Sequence, residues 1–146
     1  MRNENEWDKL TEYLEHYADH KPQGATFDMW EWRKETSCGF AACAIGHLPY
    51  ACPESPVRFM VAPYYVAAAA RGEITQEELA NAFLEPYFTD DPSSEAAPPM
   101  DRIADYFGIK ADDAEYCFSP REYIDGCDIT PQMVAERMDE ISLRYD

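Results

Sequence analysis

The sequence predicts a mainly α fold: a compact single domain over residues 1–146, with one short extended segment and proline-rich loops. Three observations lead there. Apolar residues recur at three- and four-residue spacing near both ends of the chain. Helix caps and stops bracket those stretches. No segment reads as a buried parallel strand, and no internal repeat stands out. At 146 residues, 46% hydrophobic and 14% aromatic, the chain has the size and composition of a folded globule with its own core.

Taken in order, Trp7, Leu10, Leu14 and Tyr17, flanked by Tyr13, place an amphipathic helix over about 4–18, stopped by Lys21-Pro22-Gln23-Gly24. Residues 25–32 are aromatic and partly alternating, which predicts a short extended segment. Ser37 is positioned to cap a helix over 38–47 that ends around Gly46 and Pro49. Pro49, Pro53, Pro56 and Pro63 punctuate a loop-rich middle, followed by the helix-permissive residues 67–70. Thr75-Gln-Glu-Glu78 is a capping box, and Leu79, Phe83 and Leu84 extend it into a helix ending near Pro86.

Residues 89–99 form a polar, proline-rich, linker-like loop between two helical halves. After it come a helix over 100–107 stopped by Gly108, a short helix over 113–118, and a loop at Asp125-Gly126. Thr130 caps the last helix, Pro131 takes its first position, and Val134, Met138, Ile141 and Tyr145 share one face.

Net charge is −17 and unevenly spread. Residues 1–73 carry 11 acidic and 7 basic side chains; residues 74–146 carry 18 acidic and 5 basic. Such a C-terminal half repels nucleic acid and anionic membranes and attracts basic partners. Asp90, Asp91, Asp112, Asp113 and Glu115 are its candidate contact residues. Trp30 and Trp32 join them as an aromatic patch if exposed, since Trp and Tyr dominate binding hot spots; buried, they are core. The polar N-terminus carries no signal-type apolar run, and the apolar stretches are short and broken by proline, so a cytoplasmic protein is expected. Its five cysteines are then expected as reduced thiols.

The densest chemistry lies in Cys38–His47. A thiol at a helix N-terminus is activated by unpaired amides. Thiol hydrolases need a histidine base reachable in space, however, and His16, His20 and His47 are the whole inventory. His47 lies nine residues further along the predicted helix, out of reach of Cys38. Cys43 and His47 share a helix face, as do His16 and His20, so the two pairs together would make a four-ligand zinc site. Against that stands a tightly packed small-residue helix in which the cysteines are buried hydrophobes. Residues 102–118 have a helix-turn-helix layout, but Asp112, Asp113 and Glu115 on the second helix would be repelled by DNA. No phosphate loop or nucleophile elbow is present.

Phe27-Asp28-Met29 followed by Cys38-Gly-Phe-Ala-Ala-Cys43-Ala-Ile-Gly-His47 resembles a group of small bacterial and bacteriophage proteins. Their pattern runs Phe-x-Met, a short loop, then Cys-Gly-Thr-x-x-Cys-x-x-Gly-His-Ala. Ile103-Ala-Asp-Tyr-Phe-Gly-Ile109, Glu115–Pro120 and Ile129-Thr-Pro131 are also similar. Phe40 stands where threonine is usual and Leu48 where alanine is usual. The group has no established activity, so the resemblance implies a fold and a phage or mobile-element setting, not a reaction.

The favoured expectation is a non-catalytic acidic binding or inhibitor protein without a cofactor, acting on a basic protein surface such as that of a host defence protein. Direct nucleic-acid or membrane binding is not expected. The alternatives are a zinc- or thiol-dependent protein centred on Cys38, Cys43 and His47, or a small-nucleotide sponge if Arg33, Lys34, Arg58 and Arg71 converge.

Overall fold

The computed structural model describes residues 1–80, 84–90, 97–123 and 128–145. Helix α1 (Glu4–Glu15) runs into the short α2 (Tyr17–His20) through a break at His16. Strands β1 (Ala25–Phe27), β2 (Lys34–Thr36) and β3 (Gly39–Ala42) follow, then a 3-10 turn (Ile45–His47) that continues as α3 (Leu48–Ala51). Next come β4 (Val57–Val61), α4 (Pro63–Ala70), α5 (Gln76–Ala80) and β5 (Leu84–Phe88). The chain finishes with α6 (Pro99–Phe107), α7 (Ala111–Phe118), a 3-10 turn (Pro120–Glu122) and α8 (Pro131–Arg144).

This corrects the mainly α expectation. The fold is mixed, with two small sheets beside the helices. The first has strand order β1-β3-β2: β3 lies parallel to β1 and pairs antiparallel with β2 through a hairpin turned at Ser37-Cys38. The second pairs β4 with β5 antiparallel, from Val57↔Phe88 to Val61↔Leu84.

The segment expected as a helix over 38–47 is thus a hairpin turn, a central strand and a 3-10 turn. Tertiary pairing overrides its helical composition, because β3 is bonded on both edges. The close parallel approach depends on glycine: Phe40 N–H donates to the Gly24 carbonyl at 3.2 Å, and a Cβ at Gly24 (φ 83°) would lie 2.2 Å from the Cys38 oxygen.

The helix expected to run from Thr75 towards Pro86 is corrected as well. The Thr75 capping box forms, with Glu78 N–H donating to Thr75 Oγ1 at 3.0 Å and Thr75 N–H to Glu78 Oε1 at 3.2 Å. Leu84, however, opens β5, a strand that tolerates Pro86 because its pairing is on one side only. Phe83, Asp91 and the Asp125-Gly126 loop lie outside the described residues.

The terminal helices form as the periodicity predicts. Trp7, Leu10 and Leu14 of α1 meet Val134, Met138 and Ile141 of α8 in one core with Ile103, Phe107, Cys117 and Phe118. Trp7 packs edge-on against Phe107 and Phe118, with ring centroids 5.1 and 5.8 Å away, and its Nε1–H donates to the Met138 carbonyl at 3.3 Å. Gly108, left-handed at φ 64°, ends α6, and Ile109 N–H reaches back to the Ala104 carbonyl. Thr130 Oγ1 caps α8 by accepting from Met133 N–H at 3.2 Å. The core therefore draws on residues from both sides of the expected linker over 89–99, of which 91–96 lie outside the described residues. No helix among the described residues is long and apolar enough to cross a membrane.

Candidate functional site

The 3-10 turn after β3 carries His47 into full burial inside a box of Tyr13, Tyr17, Phe27 and Phe40, ring centroids 5.1 to 5.8 Å away. Its Nδ1–H donates to the Cys43 carbonyl at 2.9 Å, which leaves Nε2 to accept the Tyr17 hydroxyl at 3.0 Å. Burial drives its pKa down from 6.5 to about 4, against the pull of the bond to Cys43 and with the Arg33 charge adding to the depression. Cys43 is buried beside it, its thiol directed at the Trp32 carbonyl at 3.9 Å and pushed up to about 12 by burial. A neutral imidazole with both nitrogens engaged, next to a protonated thiol, is a packing arrangement and not an activated pair.

Cys38 is elsewhere: exposed at the β2–β3 turn, with Ser37 Oγ 3.8 Å from its sulfur. The structure therefore does not unite Cys38, Cys43 and His47. His16 and His20 stand exposed beyond α1, their rings 6.3 Å apart, and His20 Nε2 lies 3.3 Å from Glu12. Tyr13 touches both histidine groups, stacked at 6.1 Å on His20 and 5.7 Å from His47, so the two pairs do not merge into a ligand set. Among the described residues no group of three or more His, Cys, Asp or Glu is disposed to hold a metal ion. The other described cysteines, Cys52 and Cys117, are buried, and burial raises both thiols, Cys117 to about 12.

Asp112 and Glu115 on α7 face solvent, as do Asp90, Asp101 and Asp105, and on α8 Glu136 and Asp139. Asp113 is different. It is 8% exposed and accepts from Arg144 Nη1 at 2.8 Å and from the Tyr145 hydroxyl, so it belongs to the α7–α8 contact rather than to an outer face.

Two cations of this half are drawn into the fold, while Lys110, Arg121 and Arg144 stay exposed. Arg102, 4% exposed, donates to the Pro86 carbonyl at 2.9 Å. Arg137 lies over Tyr123 (3.6 Å) and Tyr116 (4.4 Å) and donates to the Tyr116 and Glu122 carbonyls. Exposed carboxylates still outnumber the exposed cations, so the outer surface of this half is acidic.

The arginines considered for a nucleotide are engaged separately. Arg33 lies over Phe40 and donates to Glu35 and the Tyr50 hydroxyl, Arg58 donates to the Ser55 and Val57 carbonyls, and Arg71 pairs with Glu73. Lys34 is exposed on β2.

Trp30 is 63% exposed and Trp32 half-buried on the loop between β1 and β2. Both line a groove of about 220 Å³ with Met29, Met100, Phe118 and Arg121. The sequence flagged the two tryptophans, but Met100, Phe118 and Arg121 reach them only through the tertiary fold, and no spacing in the chain signals that. No protein-family model matches the chain, and neither a curated protein nor a solved structure matches it.

Proposed function

We propose that the protein is a non-catalytic binding protein that occupies a basic surface of a partner protein with its acidic C-terminal half. The observation that carries this is the excess of exposed carboxylates over exposed cations in this half. Asp101, Asp105, Asp112, Glu115, Glu136 and Asp139 stand in solvent with Lys110, Arg121 and Arg144 as the exposed cations, while Arg102 and Arg137 are held in the fold by carbonyls and aromatic faces. A surface built in this way steers cationic partners and disfavours anionic ones. His47 and Cys43, the groups with the strongest chemical look in the sequence, are spent on packing, which favours recognition over a reaction. In the phage setting that the resemblance implies, the partner is a host protein.

The test is affinity capture from a bacterial lysate with the wild-type chain and with an Asp105→Asn/Asp112→Asn/Glu115→Gln/Asp139→Asn variant, each at low and high salt, followed by mass spectrometry. A basic protein held by the wild type, released by salt and lost with the neutralised variant is the expected result. Retention of the same proteins by both chains, or of none by either, sinks the reading.

A further inference from the structure

Resting on that reading, we infer that the groove between the Trp30–Trp32 loop and α6–α7 takes a partner segment in which one large apolar anchor side chain is flanked by Lys or Arg. The groove's lining is mainly apolar, with Met29, Trp32, Met100 and Phe118, and Trp30 contributes an exposed indole to it. Its volume of about 220 Å³ falls below the roughly 300–1,000 Å³ of small-molecule sites and suits a single anchor side chain. Exposed tryptophan beside methionine supplies a large, adaptable contact surface of the kind that dominates binding energy.

The tryptophan loop is held from behind. Asp28 N–H donates to the Ala42 carbonyl at 2.9 Å, Cys43 N–H to the Glu31 carbonyl at 2.7 Å, and Trp30 N–H to Asp28 Oδ1 at 2.9 Å. Gly46 lets the Trp32 carbonyl approach to where a Cβ would lie 2.0 Å away. A groove wall fixed in this way does not need ordering when the partner arrives.

Charge selects the flanks. Each lining segment has a carboxylate as its sequence neighbour: Asp28 and Glu31 around the tryptophans, Asp101 after Met100, and Glu122 after Arg121. Lys or Arg beside the anchor meets these carboxylates, and the tryptophan faces attract the same cations. Arg121 is the one cation among the lining residues, and it disfavours a further positive charge directly beside it.

The test uses fluorescein-labelled peptide pools on the full chain, read by anisotropy. One pool carries a central Phe, Leu, Met or Trp flanked by Lys and Arg. A second has the same centres with Gly and Ser flanks, a third has them with Asp and Glu flanks, and a fourth has basic flanks and an alanine centre. The first pool is expected to bind at least about tenfold more tightly than the others, and Trp30→Ala to abolish that preference. Trp30 is largely exposed, and circular dichroism checks that the variant folds. Glu31→Gln/Asp101→Asn is expected to weaken the first pool severalfold at low salt and to leave the second unchanged. Equal binding of the first and fourth pools, unaltered by Trp30→Ala, removes the groove and leaves the acidic-surface reading standing. Failure of every basic pool removes both, and preference for acidic flanks reverses the assigned chemistry.

Discussion

Lowering the pH from 7.5 to 5.0 is expected to cost this protein about 2 kcal/mol of folding stability through His47 alone. In the folded state the imidazole is neutral with a pKa near 4, against 6.5 for an unperturbed histidine. A base whose folded pKa is depressed binds fewer protons folded than unfolded. Stability is therefore complete above the unfolded pKa and declines as pH falls below it, at about 1.4 kcal/mol per unit, until the folded form protonates near 4. Between pH 7.5 and 5.0 that window yields about 2 kcal/mol. The cause is visible in the box: four aromatic rings surround the imidazole, and its bonding partners are a carbonyl and a hydroxyl, with no carboxylate to hold a second proton.

Urea unfolding of the wild type and of His47→Gln across this range measures it. Titrating carboxylates contribute to both proteins, so the difference in slope isolates the histidine. The expected result is a wild-type loss about 2 kcal/mol larger than the variant's. Coincident pH profiles would refute the reasoning. If the variant does not fold, the Hε1 resonance of the wild-type His47 decides: it stays flat down to pH 5, and a midpoint near 6.5 overturns the assignment.

Gly46→Ala places a methyl against the Trp32 carbonyl and the Ala42 side chain, at 2.0 and 2.4 Å, and is expected to cost about 3 kcal/mol, roughly 6–12 °C in melting midpoint; an unchanged melt rejects the close approach. Among the described cysteines, Cys38 is expected to react first with a thiol reagent in native buffer, mapped by mass spectrometry. Raising Cys43 and Cys117 from 9.0 to about 12 leaves them about a thousandfold less thiolate, and comparable labelling of all three would contradict their burial. Arg137→Ala removes the stacking on Tyr116 and Tyr123 together with two carbonyl contacts. It is expected to destabilise by about 2 kcal/mol, with Arg137→Lys recovering under half because a lysine cannot reproduce the planar fork; full recovery by lysine would reduce the role to charge.

The elements that the sequence predicts correctly are those whose information is local. α1, α6 and α8 each repeat an apolar stripe over two or more turns, and Gly108 and Thr130 mark the end of α6 and the start of α8 with backbone or side-chain chemistry that acts within a few residues. The strands carry too little of either signal. β2 is three residues long and wholly exposed, β1 and β3 are held by each other across a gap in sequence, and β5 contains a proline. Leu84 is an apolar residue at helical spacing from Ala80, and only pairing with Val61 reveals it as strand. The candidate site divides in the same way. Exposed carboxylates such as Asp112 and Glu115 follow from composition, whereas the burial of Asp113 depends on Arg144 and Tyr145, some thirty residues further along the chain.

The small residues between Cys38 and His47 acquire a different meaning once the backbone is traced. A helix would use Ala41, Ala42, Ala44 and Gly46 for close packing of helical faces. In the strand and turn that form, the same smallness lets carbonyl oxygens of neighbouring segments approach: Gly39 beside Gly24, and Gly46 beside Trp32. Cys43 donates its amide to the Glu31 carbonyl and directs its sulfur at the Trp32 carbonyl, and His47 anchors the turn from inside by donating its Nδ1–H to the Cys43 carbonyl. The Cys43-x-x-Gly46-His47 spacing therefore works as a bracket for the tryptophan loop, with Cys43 and Gly46 meeting its carbonyls and His47 holding Cys43 in place. On this account Gly46→Ala and Trp30→Ala separate cleanly. The first damages fold and groove together, while the second leaves folding stability within about 0.5 kcal/mol of wild type and removes only recognition of the anchor. A Trp30→Ala protein that melts as low as Gly46→Ala would mean that Trp30 supports the core, and the bracket would then have no surface to present.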